Sequence, residues 1–329
     1  MRAGRVLLAV VVLVGALTGA APAHGGVPGA LRVLTWNVYL GGHGVGPDNL
    51  DDLLDQVVEL RPDVFFSVET YGSGPRIAEA LTRRAGKGGY TGVQVTDHPA
   101  GRDNLWIFTR FRVTEVFDAA AGLSGDFHFG GARVQPRRGP ALNLFALWLP
   151  YTNPWNGYLV DENAAGVRAG LPPRHSAADV AHAERAQTDH ITDIVDRRLP
   201  AMLAGNTDPV LIGGDLNTLP ADDWTPRWAG CPHHFGMSYP LRATRVLTDA
   251  GFVDTYRAAN PDACTHPGAT WSPLPTERLI TEQRIDLTFA RGPLEVRRAF
   301  VVAERMRRHG PGTFYSDHAA VVTDLALPR

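Results

Sequence analysis

What most constrains this chain is a series of short apolar runs, each interrupted by a polar residue near where the run ends. Leu31 to Val38, Val64 to Val68, Leu105 to Thr109, Leu142 to Leu149, Val210 to Gly213, Ile285 to Phe289 and His318 to Leu325 have the length and content of strands and are mostly too short for helices. Helical spacings lie between them: Leu50, Leu53, Leu54, Val57 and Val58, then Ile77, Ala80 and Leu81, and a longer stretch from Ala181 to Leu199 that Pro200 should end. Strands apolar on both faces, alternating with amphipathic helices, need sheets covered on both sides. The pattern predicts a layered α/β or α+β fold.

A length of 329 residues allows one or two domains. No repeat, linker or charge block divides the chain, so a single domain over residues 24–329 is expected. A hydrophobic fraction of 44% with 20% charged residues excludes disorder and coiled coil, and 35 glycines with 25 prolines predict many turns and long surface loops. The formal net charge of −2 argues against a binder that holds nucleic acid by a dominating basic surface, yet leaves a nuclease open. All but Lys87 of the 32 basic residues are arginine, as either bidentate phosphate recognition or the base composition of the coding DNA would produce.

Arg2 and Arg5, the apolar run from Val6 to Leu17 and the ending Ala21-Pro22-Ala23 predict a signal peptide over residues 1–23, cleaved near Ala23. That run is too short to cross a bilayer, so a secreted, extracellular protein without a transmembrane segment is expected, and a monomer. In such a compartment Cys231 and Cys264 predict a disulfide across a Gly/Pro-rich segment. Residues Thr218 to Ala269 read as a loop-rich excursion carrying Trp224, Trp228, His233, His234, Phe235 and Tyr239. It either walls a cleft or forms a braced surface feature.

Chemistry collects at the ends of the runs. Asn37, Glu69, Asp215 and Asn217 each follow an apolar run, Asp286 lies in Arg284-Ile285-Asp286-Leu287, and Asp317-His318 opens the last run. If that last strand is antiparallel, its start reaches the same rim as the other strands' ends. Gathered there, carboxylate and amide oxygens form a ligand set for a hard divalent cation, Mg²⁺ first, with Mn²⁺ or Ca²⁺ as alternatives. Such an ion would polarise a phosphoryl oxygen. His318 adds an imidazole whose tautomer and charge a neighbouring Asp286 would fix.

The runs Thr35-Trp36-Asn37, Val68-Glu69-Thr70, Gly213-Gly214-Asp215-Leu216-Asn217, Arg284-Ile285-Asp286 and Ser316-Asp317-His318-Ala319 resemble, in order and approximate spacing, the endonuclease/exonuclease/phosphatase superfamily. The resemblance extends from Leu31 to about Leu327. It implies a four-layer α/β/β/α sandwich of two mixed sheets, like deoxyribonuclease I, and a metal-dependent phosphoric ester hydrolase of phosphodiesterase or nuclease type. It further implies Glu69 as principal metal ligand with Asn37 beside it and Asp317 completing the site. Asp215 would orient or deprotonate the attacking water, Asn217 would hold the phosphate, and His318, oriented by Asp286, would stabilise the developing charge. The substrate would be a phosphodiester, a lipid head group or nucleic acid; a binding protein that has lost activity on the same fold is a further alternative.

One departure bears on activity. Many relatives carry His or Tyr at the rim of a middle strand, where this chain has Trp148. Indole exchanges no proton effectively, so Tyr151, Asn153 or another loop residue takes over, or the metal and His318 suffice, or Trp148 simply packs in the core. Asn104 resembles a phosphate-side Asn of some relatives and equally suits a turn. Arg185 and Gln187 fit a structural or solvated helix face, Thr270-Trp271 a place beneath the site, and His175, His182 and His190 a surface role.

Overall fold

The computed structural model describes residues 30–118 and 125–327; the expected signal peptide lies outside them. Among the described residues, twelve strands build two six-stranded sheets. They are β1 (Leu31–Asn37), β2 (Val64–Val68), β3 (Thr91–Gln94), β4 (Trp106–Thr109), β5 (Arg112–Val116) and β6 (Phe129–Gln135). The remainder are β7 (Leu142–Trp148), β8 (Val210–Asp215), β9 (Val253–Asp254), β10 (Asp286–Arg291), β11 (Glu295–Val302) and β12 (Ala320–Ala326). The first sheet has the order β11-β12-β1-β2-β4-β3 and the second β5-β6-β7-β8-β10-β9.

Side-chain alternation sorts the layers. In β1 and β2, Val33, Val64, Phe66 and Val68 face inward and meet Leu144, Ala146 and Leu211 of the second sheet. Leu34, Trp36 and Phe65 face outward and are covered by the helices Asn49–Leu60 and Gly74–Arg84 through Leu53, Val57, Ile77 and Leu81. The second sheet turns Phe145, Leu147, Ile212 and Phe289 toward Ile191, Leu199 and Leu247 of its own covering helices. The result is the four-layer α/β/β/α sandwich.

Two contacts lock the sheets face to face. Thr35 Oγ1 lies 2.8 Å from Thr288 Oγ1 across the interface. Beside it, a side chain at Gly213 would meet the Phe66 ring at 2.3 Å and Thr35 Oγ1 at 2.6 Å, so only glycine permits this approach.

The expected helix over Ala181 to Leu199 is corrected. Two helices, Ala177–Ala183 and Arg185–Asp193, are separated at Glu184, and helical backbone then continues past Pro200, through Ile194–Arg198 and Leu199–Leu203. Pro200 directly follows the wider turn Ile194–Arg198, in which the Leu199 N–H reaches the Ile194 carbonyl, and this local change of helical pitch accommodates a residue without an N–H. Glu184 breaks the run because its buried carboxylate turns inward to accept the Arg242 and Ala243 peptide N–H groups at the start of the helix Ala243–Asp249.

The excursion is braced. Cys231 and Cys264 are disulfide-bonded, and Trp224, Met237 and Tyr239 pack into their own cluster with Trp155 and Leu159. Arg284, buried, ties the excursion to β10: its Nη2 lies 2.8 Å from Asp223 and its Nη1 2.7 Å from Asp254.

Candidate active site

Strand direction builds the site. β1 and β2 run parallel and β12 antiparallel to β1, so the ends of the first two and the start of the third share one rim. β7 and β8 run parallel and β10 antiparallel to β8, which brings Trp148, Asp215 and Asp286 to one rim of the second sheet. Asn37, Glu69, Asp317 and His318 come from one sheet, Asp215, Asn217 and Asp286 from the other.

The two rims meet through hydrogen bonds. Asn37 Nδ2 donates to Glu69 Oε1 and to Asp215 Oδ2, each at 3.1 Å, and so bridges the sheets. Glu69 adopts a left-handed backbone with φ of 54°, in which its N–H donates to Asn104 Oδ1 at 2.8 Å and its Oε2 accepts from the Leu40 N–H at 3.1 Å. Such a conformation is costly for a non-glycine residue and persists only where its surroundings enforce it. Asp215 accepts the Asn217 N–H at 2.9 Å through Oδ1, while Asn217 Nδ2 donates to the Leu149 carbonyl at 2.9 Å.

His318 Nδ1 lies 2.8 Å from Asp286 Oδ2, and its Nε2 faces Asp215 Oδ2 at 3.8 Å and Asp317 Oδ1 at 4.0 Å. Behind it, Trp36 Nε1 donates to the His318 carbonyl at 2.8 Å, and Thr270 Oγ1 accepts the Ile285 and Asp286 N–H groups. Burial alone would lower the imidazole's pKa, but Asp286, Asp215 and Asp317 overrule it and push it up to about 10. Burial raises Asp215, against the opposing charge of His318 and with a further contribution from Asp286. Asp317 is likewise raised by burial, against His318, with Glu69 adding to the rise.

This donor set fits a divalent cation. Asp215, Asp286 and His318 offer ligand atoms within 4.8 Å of one another, with His318 Nδ1 already engaged by Asp286 Oδ2. Asp286 Oδ1 is buried without a hydrogen-bond partner, and the His318 imidazole faces the carboxyl groups of Asp286, Asp215 and Asp317, with Glu69 acting in turn on Asp317, so acidic groups outnumber the one basic group. A hard cation held by Glu69 and Asp317 oxygens, with Asn37 or Asp215 beside them, would offset that excess.

The remaining expected residues separate. Trp148 ends β7 opposite Asp215 and lines the cavity of about 210 Å³ at the site, so it stands at the rim, half-buried, while also packing against the inter-sheet core. One ring face stacks on His128, with centroids 5.4 Å apart, which fixes its orientation. Tyr151 lines the same cavity; Asn153 is exposed and outside its lining. Asn104 is fully buried behind Glu69, spending its carbonyl oxygen on the Glu69 N–H. Arg185 is exposed beside Asp189, and Gln187 is buried, donating to the Pro150 and Asn217 carbonyls. His175 pairs with Glu162 and His182 is exposed, whereas His190 is partly buried with its ring against His128. Sequence reasoning missed Tyr39, whose N–H donates to Asn37 Oδ1, and Glu277; neither stands in a motif. Trp271, assigned by its sequence to a place beneath the site, lines the cavity directly.

The endonuclease/exonuclease/phosphatase family model matches residues 34–318, and the chain belongs to that family. Its members are generally phosphoesterases and nucleases, typically with a divalent metal. An uncharacterized protein of Caenorhabditis elegans is 24% identical over 319 residues, covering 90% of this chain and 91% of its own. The human Nocturnin catalytic domain with a bound sulfate anion is similar in fold at a TM-score of 0.60 and 15% identity, covering 94% of this chain and all of its own. The mannosyl-6-phosphatase of Bacteroides thetaiotaomicron is similar at a TM-score of 0.56 and 15% identity, covering 90% of this chain and 99% of its own.

Proposed function

We propose that the protein is an exported, divalent-metal-dependent phosphoesterase that cleaves phosphodiesters by direct attack of water. The observation that carries this reading is the Asp286–His318–Asp215 array joined through Asn37 to Glu69 at the mouth of one cavity. Glu69 and Asp317, with Asn37, are the residues to hold the cation, Mg²⁺ first; when bound, it supplies charge neutralisation at a phosphoryl oxygen. Asp215, buried and raised in pKa, accepts a proton from water and orients it. Asn217 fixes the Asp215 carboxylate through its backbone N–H. His318, kept protonated and held by Asp286, donates from Nε2 to an oxygen on which charge develops. The water oxygen thus forms the new P–O bond as the P–O bond to the leaving alcohol breaks, the alcohol taking up a proton from solvent to balance the one given to Asp215, with no covalent enzyme intermediate.

Purified protein should hydrolyse bis(p-nitrophenyl) phosphate with added Mg²⁺ or Mn²⁺ and stop when chelator is added. No hydrolysis of that ester, of phospholipid or of plasmid between pH 5 and 9 would sink the reading. Export is tested separately: protein recovered from culture medium should begin near His24, and light scattering should give the mass of a monomer.

A further inference from the structure

Across Trp271 from the catalytic cavity lies a second one, of about 190 Å³, between the segments Ala269–Pro273 and Glu277–Glu282. Trp271 lines both, and its backbone bridges to His318, so the two cavities adjoin at this residue beside the reacting end. Trp155 and Tyr158 meet Trp271 nearly edge to face, with interplanar angles of 87° and 70°, and hold the indole plane in place.

The linings decide what can enter. Among the described residues that line either cavity, none is Lys or Arg, while Glu277 and Glu282 line the second. Glu277 also acts electrostatically on Tyr39 and Tyr158, so it borders the catalytic mouth as well. The only charged side chains a second phosphate would meet among the lining of the second cavity are the carboxylates of Glu277 and Glu282, and a nucleic-acid strand would find no cation there to track its backbone. Carboxylates are acceptors only and match hydroxyl donors, and one fixed indole offers an apolar plane. A quaternary ammonium is better served by several ring faces turned to one point than by rings packed against one another.

Resting on the phosphoesterase reading, we propose that the cavity between Trp271 and Glu277 is a substrate subsite for the non-reacting alcohol of the ester, and that this alcohol is an uncharged polyhydroxylated ring. The subsite sets KM, while Asp215 and His318 set turnover.

The test compares glycerophosphoinositol, glycerophosphocholine and methyl p-nitrophenyl phosphate on wild-type protein with Mg²⁺, and on Trp271→Ala, Trp271→Phe and Glu277→Gln. KM for glycerophosphoinositol should be at least tenfold below that for either other diester. That ratio should collapse in Trp271→Ala and Glu277→Gln and be largely kept in Trp271→Phe; circular dichroism of each variant identifies any that fails to fold, and Glu277→Gln then carries the test. Hydrolysis of all three diesters with similar KM, or a preference for glycerophosphocholine, overturns the subsite and leaves the phosphoesterase reading standing. If nothing is hydrolysed, calorimetric titration with glycerophosphoinositol still decides: binding weakened tenfold in Glu277→Gln supports the subsite, and absence of binding overturns it.

Discussion

His318 Nδ1 and Asp286 Oδ2 stand 2.8 Å apart although 32 residues separate them in the chain. The pair crosses from one sheet to the other, because β12 and β10 belong to different sheets. Asp286→Asn keeps the shape but removes the charge that holds the imidazole protonated and in one orientation. Turnover should fall about 10²-fold or more, with KM changed far less. His318→Ala and Asp215→Ala should each remove most activity. Steady-state kinetics on folded variants checks this, and near-wild-type turnover in any of the three contradicts the assigned roles.

Excess negative charge at the rim makes a second prediction. Mg²⁺ or Mn²⁺ should raise the melting temperature of chelator-stripped protein, because a ligand that binds only the folded state stabilises it by mass action. Glu69→Gln should blunt that rise. An equal rise in the variant and the wild type would place the ion elsewhere.

Glu184 predicts a pH dependence of stability away from the site. Burial raises its carboxyl to about 7, against the N–H groups of Arg242 and Ala243 and the Thr218 hydroxyl. A folded-state pKa above the unfolded one means that the folded protein binds the extra proton. The contribution is complete below about pH 4.5 and is lost as pH climbs through about 7. It amounts to something on the order of 3 kcal/mol. Urea midpoints at several pH values should therefore decline more steeply for wild type than for Glu184→Gln over that window. Parallel curves would refute it.

The Cys231–Cys264 bridge spans 33 residues. Closing a loop of that size constrains the unfolded chain by about 3–4 kcal/mol. Cys231→Ser with Cys264→Ser should lower the denaturant midpoint accordingly. An unchanged midpoint would mean that the Asp223–Arg284–Asp254 ties carry the excursion unaided.

The sequence disclosed the layers and the rim through β1, β2, β7, β8, β10 and β12, because their apolar runs are long and their polar breaks sit at strand ends. Strands β5 and β11 hid because they are edge strands: Arg112, Thr114, Glu115, Glu295, Arg297 and Arg298 give each a largely charged face. β6 hid behind Gly130 and Gly131, residues that disfavour a strand in isolation. The helix Asn156–Arg168 follows a Pro, and Asn156 and Asn163 interrupt the buried side formed by Leu159, Val160, Ala164 and Val167, which blurs its apolar stripe. In the site, the motif residues were legible because each sits at a strand terminus. The aromatic wall was only partly so: Tyr151, Trp155 and Tyr158 line the cavity, whereas Trp224 and Tyr239, equally aromatic, pack behind it.

The close approach of Gly213 to Phe66 and Thr35 has a consequence for how such a protein ages or is assembled. Neither half of the sandwich owns the whole candidate site, so the proposed hydrolytic activity should act as a gauge of sheet-to-sheet closure. Any lesion that wedges the halves apart should abolish that activity while each half still retains its strands.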